Sequence, residues 1–430
     1  MGRLGNYTKA VQFHEDARKY GSILGLDSIR ALMHELGDVW KELRIVHIAG
    51  TNGKGSVCCF LASVLAEAGY RTGQFNSPAV FDLREVYQIN GQWIEKEEYA
   101  SCMEDVAAAC ERMTEKGLSH PTVFEIETAA AFLWFFRKKC DIVLLETGMG
   151  GETDATNLIE HPLCSVITSI RLDHTDFLGN TIEEIAEVKS GIIKQNHPVV
   201  TVRQSREAET VLRQKAEACH AAYHIAPEIS QSRIKNDRLC FFYPALGELR
   251  LSMTGSYQVQ NASLAIETLK VLGAAGYAVT KEQMLKGMEC AKWKGRFECL
   301  SKKPLFYIDG AHNAAAAEEL KKTLLGHFPD FRRIGIMGVM ADKPYGEMTE
   351  ILKDVFEKIY TVTPDNKRSL PACILAEEWK RQGTEAIAKE SVYDAVRKAC
   401  KEAGKEENNV MIIAFGSLYY LNEVKSAFTS

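Results

Sequence analysis

The sequence lacks the features that mark several broad classes of protein. Its twelve cysteines include no CxxC pair, so neither a zinc site nor a disulfide framework is indicated, and reduced thiols in the cytoplasm fit better. The most apolar window, "AAAFLWFF", ends at Arg137 and is far too short to span a bilayer. The first residues, "MGRLGNYTKAVQFHED", contain no apolar run like that of a signal peptide. These absences predict a cytoplasmic protein with no membrane partner.

An excess of positive charge is also missing. The chain has 52 Lys and Arg against 57 Asp and Glu, which gives a formal net charge of −5. This balance favours neither a nucleic acid nor an anionic membrane as a partner. With 430 residues, 46% of them hydrophobic, the chain is long enough for two or three domains. Nothing in the pattern requires a partner chain, so we expect a monomer.

Glycines are present where a nucleotide site would need them. The segment "RIVHIAGTNGKGSV" (residues 44–57) is typical of a buried strand, a glycine-rich turn and the start of a helix. The N–H groups of such a turn, with the positive end of the helix, can bind phosphate. Lys54 can then reach the terminal phosphates, and Ser56 can offer its hydroxyl or N–H. The usual loop has Ser or Thr directly after Lys, so an ordinary glycine turn is the alternative.

An acidic residue closes a second apolar run. "DIVLLETG" (residues 141–148) is predicted to be a buried strand that ends on Glu146. Ligands of open α/β sheets bind at the carboxyl ends of the strands, and Mg²⁺ prefers oxygen ligands. Glu146 is therefore the natural metal candidate. Asp141, at the opposite end of the strand, is a weak candidate, and Asp154 in the following loop could also approach the site.

A histidine and an aspartate follow a third strand-like run. "CSVITSIRLDH" (residues 164–174) is expected to form a strand that ends on Asp173 and His174. A lone histidine is often structural, but one at the end of a neighbouring parallel strand could also be a ligand. Both roles stay open for His174 on this pattern alone.

Alternation of short strands with helical segments, such as 181–194 and 257–272, predicts a mainly parallel sheet. The polar, basic segment 292–304 has little periodicity, and we place the domain boundary there, giving domains of residues 1–296 and 297–430. About four strands follow it. The expected fold is α/β: an N-terminal P-loop ATPase domain with a mainly parallel sheet, and a smaller C-terminal Rossmann-like α/β domain.

A second polar site is suggested after the boundary. "DGAHNAAAAEEL" (residues 309–320) follows the apolar run "LFYI". Asp309, at the end of a strand, could serve a ligand. The alternative is a turn followed by a helix whose N-cap is Asn313.

Read in order, these segments resemble the dihydrofolate synthase/folylpolyglutamate synthase family, relatives of the Mur peptidoglycan ligases. The similarity covers almost the whole chain through "HIAGTNGKGSV", "NSPAV", "TVFEIETAAAFLWF", "LLETGMGGETDATN", "LDHTDFLG", "IAEVKSGIIK", "NASLAI", "GRFE" and "DGAHN". The glycine between Lys54 and Ser56 is part of this family's loop. The resemblance implies an ATP-dependent amide ligase that adds L-glutamate to tetrahydrofolate or dihydropteroate through an acyl phosphate.

The resemblance also implies roles for individual residues. The residues expected to contact ATP are Asn52, Gly53, Lys54, Gly55, Ser56, Asn261, Arg296, Asp309 and His312. Two Mg²⁺ ions would be held by Ser77, Glu146 and His174. Lys189 matches a lysine that is carbamylated in the family, and it completes a catalytic set with Lys54, Glu146 and His174. The pterin substrate is expected near Thr122, Phe124, Glu125 and Asp154, with the loop around Leu24 and Gly25.

Some positions depart from the family pattern. Ala79 and Val80 stand where the family often has His-Leu, Glu152 replaces an arginine, and Ala314 replaces a proline. These changes leave open which folate is preferred and whether both synthase activities are present. A Mur-type ligase for a peptidoglycan precursor and a non-catalytic ATP-binding protein are the alternatives.

Overall fold

The computed structural model describes residues 6–21, 25–404 and 409–429. The chain divides into two compact units, each described here by itself. Unit 1 takes its described residues from Met1–Ser230, Tyr243–Leu246 and Gln260–Ala291, and unit 2 from Gln231–Phe242, Gly247–Val259 and Lys292–Ser430. Two segments between residues 231 and 259 thus group with the second unit. The domain boundary expected between residues 296 and 297 stays a prediction.

An eight-stranded sheet lies at the centre of the described part of unit 1. Its order is β4-β3-β2-β5-β1-β6-β7-β8. Strands β2, β5, β1, β6, β7 and β8 run parallel, and β3 and β4 add antiparallel strands at one edge. The strands are β1 (Ile45–Ala49), β2 (Thr72–Phe75), β3 (Tyr87–Ile89), β4 (Gln92–Trp93), β5 (Ile142–Glu146), β6 (Cys164–Ile167), β7 (Val199–Thr201) and β8 (Tyr223–Ile225). The expected mainly parallel sheet is therefore confirmed.

The helices of unit 1 pack against this sheet and against one another. They are α1 (Tyr7–Asp16), α2 (Asp27–Glu35), α3 (Lys54–Glu67), α4 (Lys96–Glu115), α5 (Val123–Arg137), α6 (Thr175–Leu178), α7 (Ile182–Ser190), α8 (Arg206–Ala218), α9 (Gln258–Ala274) and α10 (Lys281–Cys290). Short 3-10 turns span Ala17–Tyr20, Val39–Glu42, Leu83–Val86 and Ala155–Leu158. Helix α3 contacts β1, β2 and β5. Because β1 and β5 are buried throughout, their apolar runs are those of central parallel strands.

Unit 2 contains two sheets in its described residues. The six-stranded sheet has the order β12-β13-β17-β14-β15-β16, parallel except for the edge strand β12. Its strands are β12 (Glu298–Lys302), β13 (Leu305–Ile308), β14 (Arg332–Met337), β15 (Lys358–Thr361), β16 (Glu385–Ala388) and β17 (Val410–Phe415). The small sheet comprises β9 (Ser232–Lys235), β10 (Arg238–Tyr243) and β11 (Gly247–Leu251). The sequence pattern indicated about four strands after the boundary and missed β12 and β16.

The described part of unit 2 has five helices, and the first three of them bury an apolar core against the six-stranded sheet. They are α11 (Ala314–His327), α12 (Tyr345–Leu352), α13 (Ala372–Arg381), α14 (Val392–Ala403) and α15 (Leu421–Thr429), with a 3-10 turn at Leu418–Tyr420. Trp379, Phe356 and Phe415 lie at the centre of that core. The alternation of strands and helices agrees with the expected α/β class. Across residues 6–21, 25–404 and 409–429, the helices are all too short or too polar to cross a bilayer.

Candidate active site

The turn between β1 and α3 is closely enclosed by neighbouring side chains. Gly50 has φ +144°, and a Cβ there would lie 1.8 Å from Thr168 Oγ1. Gly53 has φ +94°, and a Cβ there would lie 2.4 Å from Asn261 Oδ1. Any other residue would be strained at both positions and would also collide with a neighbour. The turn therefore needs these two glycines. Asn261 lies beside it, and the expected contact of Asn261 with ATP stays a prediction.

The turn leads directly into the N-terminus of helix α3. Thr51 N donates to Ser169 O at 2.8 Å, and Val57 N donates to Gly53 O at 2.9 Å. The N-cap of α3 is Gly53, which has no side chain to bond to the first N–H groups of the helix. Such N–H groups, at the positive end of the helix dipole, form an anion-binding site. The local geometry is that of a phosphate loop.

Lys54 lies folded over this loop. Its Nζ donates to Gly50 O at 3.2 Å and to Thr51 O at 3.3 Å. The same Nζ is 3.8 Å from Glu146 Oε1, and both side chains are largely buried. The cation and the carboxylate thus meet at the loop, where a phosphate and a metal ion would need them.

Glu146 reaches this position through the register of the sheet. It ends β5 opposite Ile48 of β1, so the parallel strands bring it next to the loop that follows β1. Asn76 Nδ2 donates to Glu146 Oε2 at 2.5 Å, and Gln74 Nε2 donates to Asn76 Oδ1 at 2.5 Å. Ser77 follows Asn76 directly and is partly exposed. Asn76 and Gln74 were not singled out from the sequence.

Lys189 is a buried lysine that shares an acceptor with Lys54. It lies on α7, and its Nζ donates to Gly50 O at 2.9 Å. Burial, and then the nearby charge of Lys54, lower the pKa of Lys189 to about 7, although Asp173 and Asp154 act in the opposite direction. A substantial fraction of this amine is therefore neutral near pH 7.

The expectation that β6 runs to Asp173 and His174 was wrong. The strand ends at Ile167. Thr168 N still donates to Ala49 O, and Ser169 O still accepts from Thr51 N, each at 2.8 Å. Ile170 N then donates to a side chain, Gln204 Oε1, at 3.0 Å. His174 is the N-cap of α6 in the left-handed region, with φ +51°. Its side chain is 45% exposed, with Nε2 3.9 Å from Asp173 Oδ1.

Asp154 organises the loop after β5. Its carboxylate accepts from Met149 N at 2.8 Å, from Thr156 N at 3.0 Å and from Thr156 Oγ1 at 2.6 Å. Thr156 Oγ1 also lies 2.8 Å from His47 Nε2. Burial raises the pKa of Asp154 and lowers the pKa of His47 to about 3. These bonds fix the loop from inside, and the expected contact of Asp154 with substrate stays a prediction.

The "TVFE" segment forms the start of α5. Thr122 is the N-cap, and Thr122 and Glu125 form a reciprocal capping box, with Thr122 N donating to Glu125 Oε2 at 2.7 Å. A Cβ at Gly148 would lie 2.5 Å from the ring of Phe124, so this ring packs on the loop after β5. Gly25 N donates to Thr153 O at 3.3 Å in that loop. Leu24 lies outside the described residues.

Unit 2 holds a separate polar cluster around Asp309. Asp309 Oδ1 accepts from Ala311 N at 2.8 Å, and Oδ2 accepts from Phe297 N and from the Tyr257 hydroxyl, each at 2.8 Å. Burial raises the pKa of Asp309, against the effect of nearby Arg296. Within this unit the predicted residues Arg296 and Asp309 are thus neighbours.

The rest of the same signature has local structural partners. His312 Nδ1 lies 2.8 Å from Gly310 O. Asn313 caps α11, with Ala316 N donating to its Oδ1 at 2.9 Å, so the helix-cap interpretation of this residue holds. That cap does not exclude a ligand role for Asp309 or His312, which stays a prediction.

The donors around Glu146 suit a hard cation. The Glu146 carboxylate is an oxygen ligand of the kind that Mg²⁺ prefers, and so is the hydroxyl of Ser77, the residue after Asn76. Within the described residues, three or more His, Cys, Asp or Glu side chains do not group into a metal-binding cluster. Mg²⁺ at nucleotide sites is usually bound by one or two carboxylates together with phosphates and water.

Two protein-family models match the chain. Residues 48–269 match the Mur ligase middle domain, and residues 295–418 match the Mur ligase, glutamate ligase domain. The dihydrofolate synthase/folylpolyglutamate synthase of Bacillus subtilis is 36% identical over 96% of this chain and 98% of its own length. The folylpolyglutamate synthase of Lacticaseibacillus casei is 30% identical over 98% of both chains.

Solved structures agree with this assignment. The Mycobacterium tuberculosis folylpolyglutamate synthase complexed with ADP and AMPPCP has a TM-score of 0.89 and 26% identity, covering 99% of both chains. Escherichia coli FolC in complex with DHPP and ADP has a TM-score of 0.87 and 26% identity, covering 100% of this chain and 99% of the other. The chain therefore belongs to the Mur ligase family of ATP-dependent ligases, in the branch of dihydrofolate synthases and folylpolyglutamate synthases.

Proposed function

We propose that this chain uses ATP to join L-glutamate to a folate, through an acyl phosphate formed on the folate's terminal carboxylate. The observation that carries the proposal is the convergence of the glycine loop, Lys54 and Glu146 at the carboxyl end of a parallel sheet. A carboxylate is a poor electrophile. Transfer of the γ-phosphoryl group to one of its oxygens, with ADP leaving, makes its carbonyl carbon reactive. The amine of glutamate then attacks that carbon, and phosphate leaves.

The chain contributes mainly position and charge to this reaction. The N–H groups at the start of α3 and the ammonium of Lys54 stabilise the negative charge that develops on the transferred phosphoryl group. Lys54 leaves the carbonyl oxygens of Gly50 and Thr51, which it contacts at 3.2 and 3.3 Å, and turns to the phosphates. Asn52 to Ser56 form the phosphate contacts, and Asn261 contributes from beside Gly53.

Two Mg²⁺ ions would be held by Glu146, Ser77 and His174. When bound, the cation supplies positive charge to the phosphate oxygens and to the acceptor carboxylate. Glu146 and Ser77 lie at the loop. His174 would contribute from the segment after β6, where its side chain is 45% exposed.

Lys189 is proposed to be carbamylated. With a pKa lowered to about 7, about half of the amine is neutral at pH 7. The neutral nitrogen can add to carbon dioxide and lose one proton, which gives an anionic carbamate. Burial beside Gly50 would then place a negative group near the cation site.

Substrate recognition is proposed for two further groups of residues. Thr122, Phe124, Glu125 and Asp154 would lie near the pterin, with Phe124 supplying an aromatic ring beside the loop after β5. Arg296, Asp309 and His312 are proposed to contact ATP. Monomeric state and cytoplasmic location, expected from the sequence, also stay predictions.

ADP release measured with glutamate and one acceptor at a time tests this function. Dihydropteroate and tetrahydrofolate are the two expected acceptors, and either or both can be used. A uridine nucleotide–peptide acceptor controls for the Mur-type alternative. ADP release with that acceptor alone would overturn the folate assignment, and the absence of ADP release with all three would leave a non-catalytic ATP-binding protein.

A further inference from the structure

Three polar side chains form a buried row that ends at the phosphate loop. Gln74, Asn76 and Glu146 are 3%, 4% and 6% exposed. Gln74 Nε2 lies 2.5 Å from Asn76 Oδ1, and Asn76 Nδ2 lies 2.5 Å from Glu146 Oε2. Gln74 lies on β2, Asn76 follows that strand, and Glu146 ends the adjacent β5. Since burying an amide is costly unless it is hydrogen-bonded, the row calls for a physical explanation.

The chemistry of the three groups gives the row a single direction. An ionised carboxylate only accepts hydrogen bonds, so Asn76 must turn its NH₂ towards Glu146. Its Oδ1 then points away from the carboxylate and needs a donor. The NH₂ of Gln74 is that donor. Without Gln74, that buried oxygen would lose its donor, and the Asn76 side chain would be held less firmly against the carboxylate.

The row also distinguishes the two carboxylate oxygens of Glu146. Oε2 accepts from Asn76, whereas Oε1 is the oxygen 3.8 Å from Lys54 Nζ. The carboxylate is therefore held with Oε1 towards the phosphate loop. A carboxylate that binds a metal is usually oriented by hydrogen bonds of this kind, and loss of such a bond typically weakens metal binding by about 10- to 100-fold.

We propose that Gln74 is a positioning residue that acts through Asn76 to present Glu146 to the cation of the nucleotide site. This inference rests on the proposed function, because it assumes that Glu146 holds the cation. Gln74 itself touches neither the loop nor Glu146 in the bonds described. Its effect is transmitted by its bond to Asn76 Oδ1, which holds the NH₂ of Asn76 in place against the carboxylate.

A purely structural role for Gln74 makes a different prediction from a positioning role. If Gln74 only filled space in β2, its removal would lower stability and leave the contribution of the metal unchanged. If it orients Glu146, its removal weakens metal-dependent binding of nucleotide and leaves metal-free binding intact. The affinity of a non-hydrolysable ATP analogue, measured by calorimetry with Mg²⁺ and again with EDTA, separates the two effects.

Gln74→Met and Gln74→Leu introduce an apolar side chain of similar size and remove the donor. We expect the ratio of the two dissociation constants, EDTA over Mg²⁺, to fall about ten-fold, with the EDTA value within about two-fold of the parent. Gln88→Met is the matched control. Gln88 lies directly opposite Gln74 on β3, is similarly buried, and donates instead to Glu85 O at 2.7 Å. An unchanged ratio in both Gln74 variants overturns the inference.

A double mutant tests whether Gln74 acts through Asn76. If it does, Gln74→Met adds nothing once Asn76 is alanine, so the double variant has the same ratio as Asn76→Ala. If the double variant lowers the ratio by the product of the two single effects, Gln74 does not act through Asn76 and the inference is overturned. Glu146→Gln checks the underlying function. If that variant keeps the parent ratio, the cation role of Glu146 fails. If it lowers the ratio while the Gln74 variants do not, only the present inference fails.

Discussion

Stability should depend on pH through Lys189 in a direction opposite to that of most surface lysines. The pKa of this buried ammonium is lowered from its ordinary 10.5 to about 7. In the unfolded chain it regains its ordinary value. Unfolding therefore takes up a proton between pH 7 and 10.5, so the free energy of unfolding rises with pH in this window. Above pH 10.5 the buried amine is neutral in both states and does not reduce the free energy of unfolding. This free energy falls as the pH drops from 10.5, and the loss is complete once the pH has fallen through 7.

The size of the effect follows from the two pKa values. Each pKa step corresponds to about 1.4 kcal/mol, so the full cost of the charged, buried ammonium is about 5 kcal/mol at low pH. Between pH 7 and pH 9 the free energy of unfolding should rise by about 2 kcal/mol through Lys189 alone. Lys189→Met has no ammonium to bury and should lack this rise.

Urea unfolding of both proteins at several values between pH 7 and 9 measures the difference. Buffers must be free of carbon dioxide, since a carbamate would replace the ammonium with an anion. Lys9→Met, at an exposed position of α1, controls for the loss of one positive charge. If the curves of Lys189→Met and the parent stay parallel within about 0.5 kcal/mol, the reasoning about this buried charge is refuted.

Three further predictions concern the phosphate loop and its cation. Lys54→Ala should abolish ADP release in the presence of folate and glutamate while the melting temperature stays near that of the parent; near-normal ADP release would contradict this role. His174→Ala should raise the Mg²⁺ concentration for half-maximal turnover more than it weakens ATP binding, and overlapping Mg²⁺ titrations would make His174 structural. Gly53→Ala should cost about 1–3 kcal/mol in local strain and weaken binding of an ATP analogue at least about ten-fold, because its Cβ would lie 2.4 Å from Asn261 Oδ1. Gly346→Ala, where the added carbon meets open space, is the control. Equal affinities of the two variants for the ATP analogue would contradict the prediction that the loop has no room for a side chain.

Local patterns predicted the elements whose character depends on their own residues. The strand before the loop and a helix directly after it were both expected, and α3 begins at Lys54. Glu146 was expected at the end of a buried strand and is found there. Buried parallel strands and glycine turns are written in adjacent residues, so a single sequence contains this information. The family models and relatives confirmed the family, and the two mainly parallel sheets confirmed the α/β class.

Features that depend on distant partners could not be predicted in this way. The "CSVITSIRLDH" run is typical of a long strand, but the strand ends at Ile167, and Ile170 N bonds to a side chain from another segment, Gln204. Strands β12 and β16 were missed because both are short, half-exposed edge strands with no strong apolar period. Gln74 reads as an ordinary polar residue in a strand until the neighbouring β5 places a carboxylate near its partner.

The conformation of the nucleotide loop depends on residues outside the loop. Thr168 occupies the space over Gly50, and Asn261 occupies the space over Gly53, while Thr51 is tied to Ser169 by a 2.8 Å backbone bond. The segment of Thr168 and Ser169 and the helix of Asn261 thus restrict the conformation of residues 50–53. An engineer who grafts the loop into another α/β protein would have to carry those neighbours along, and one who wishes to vary the loop would have to trim them first.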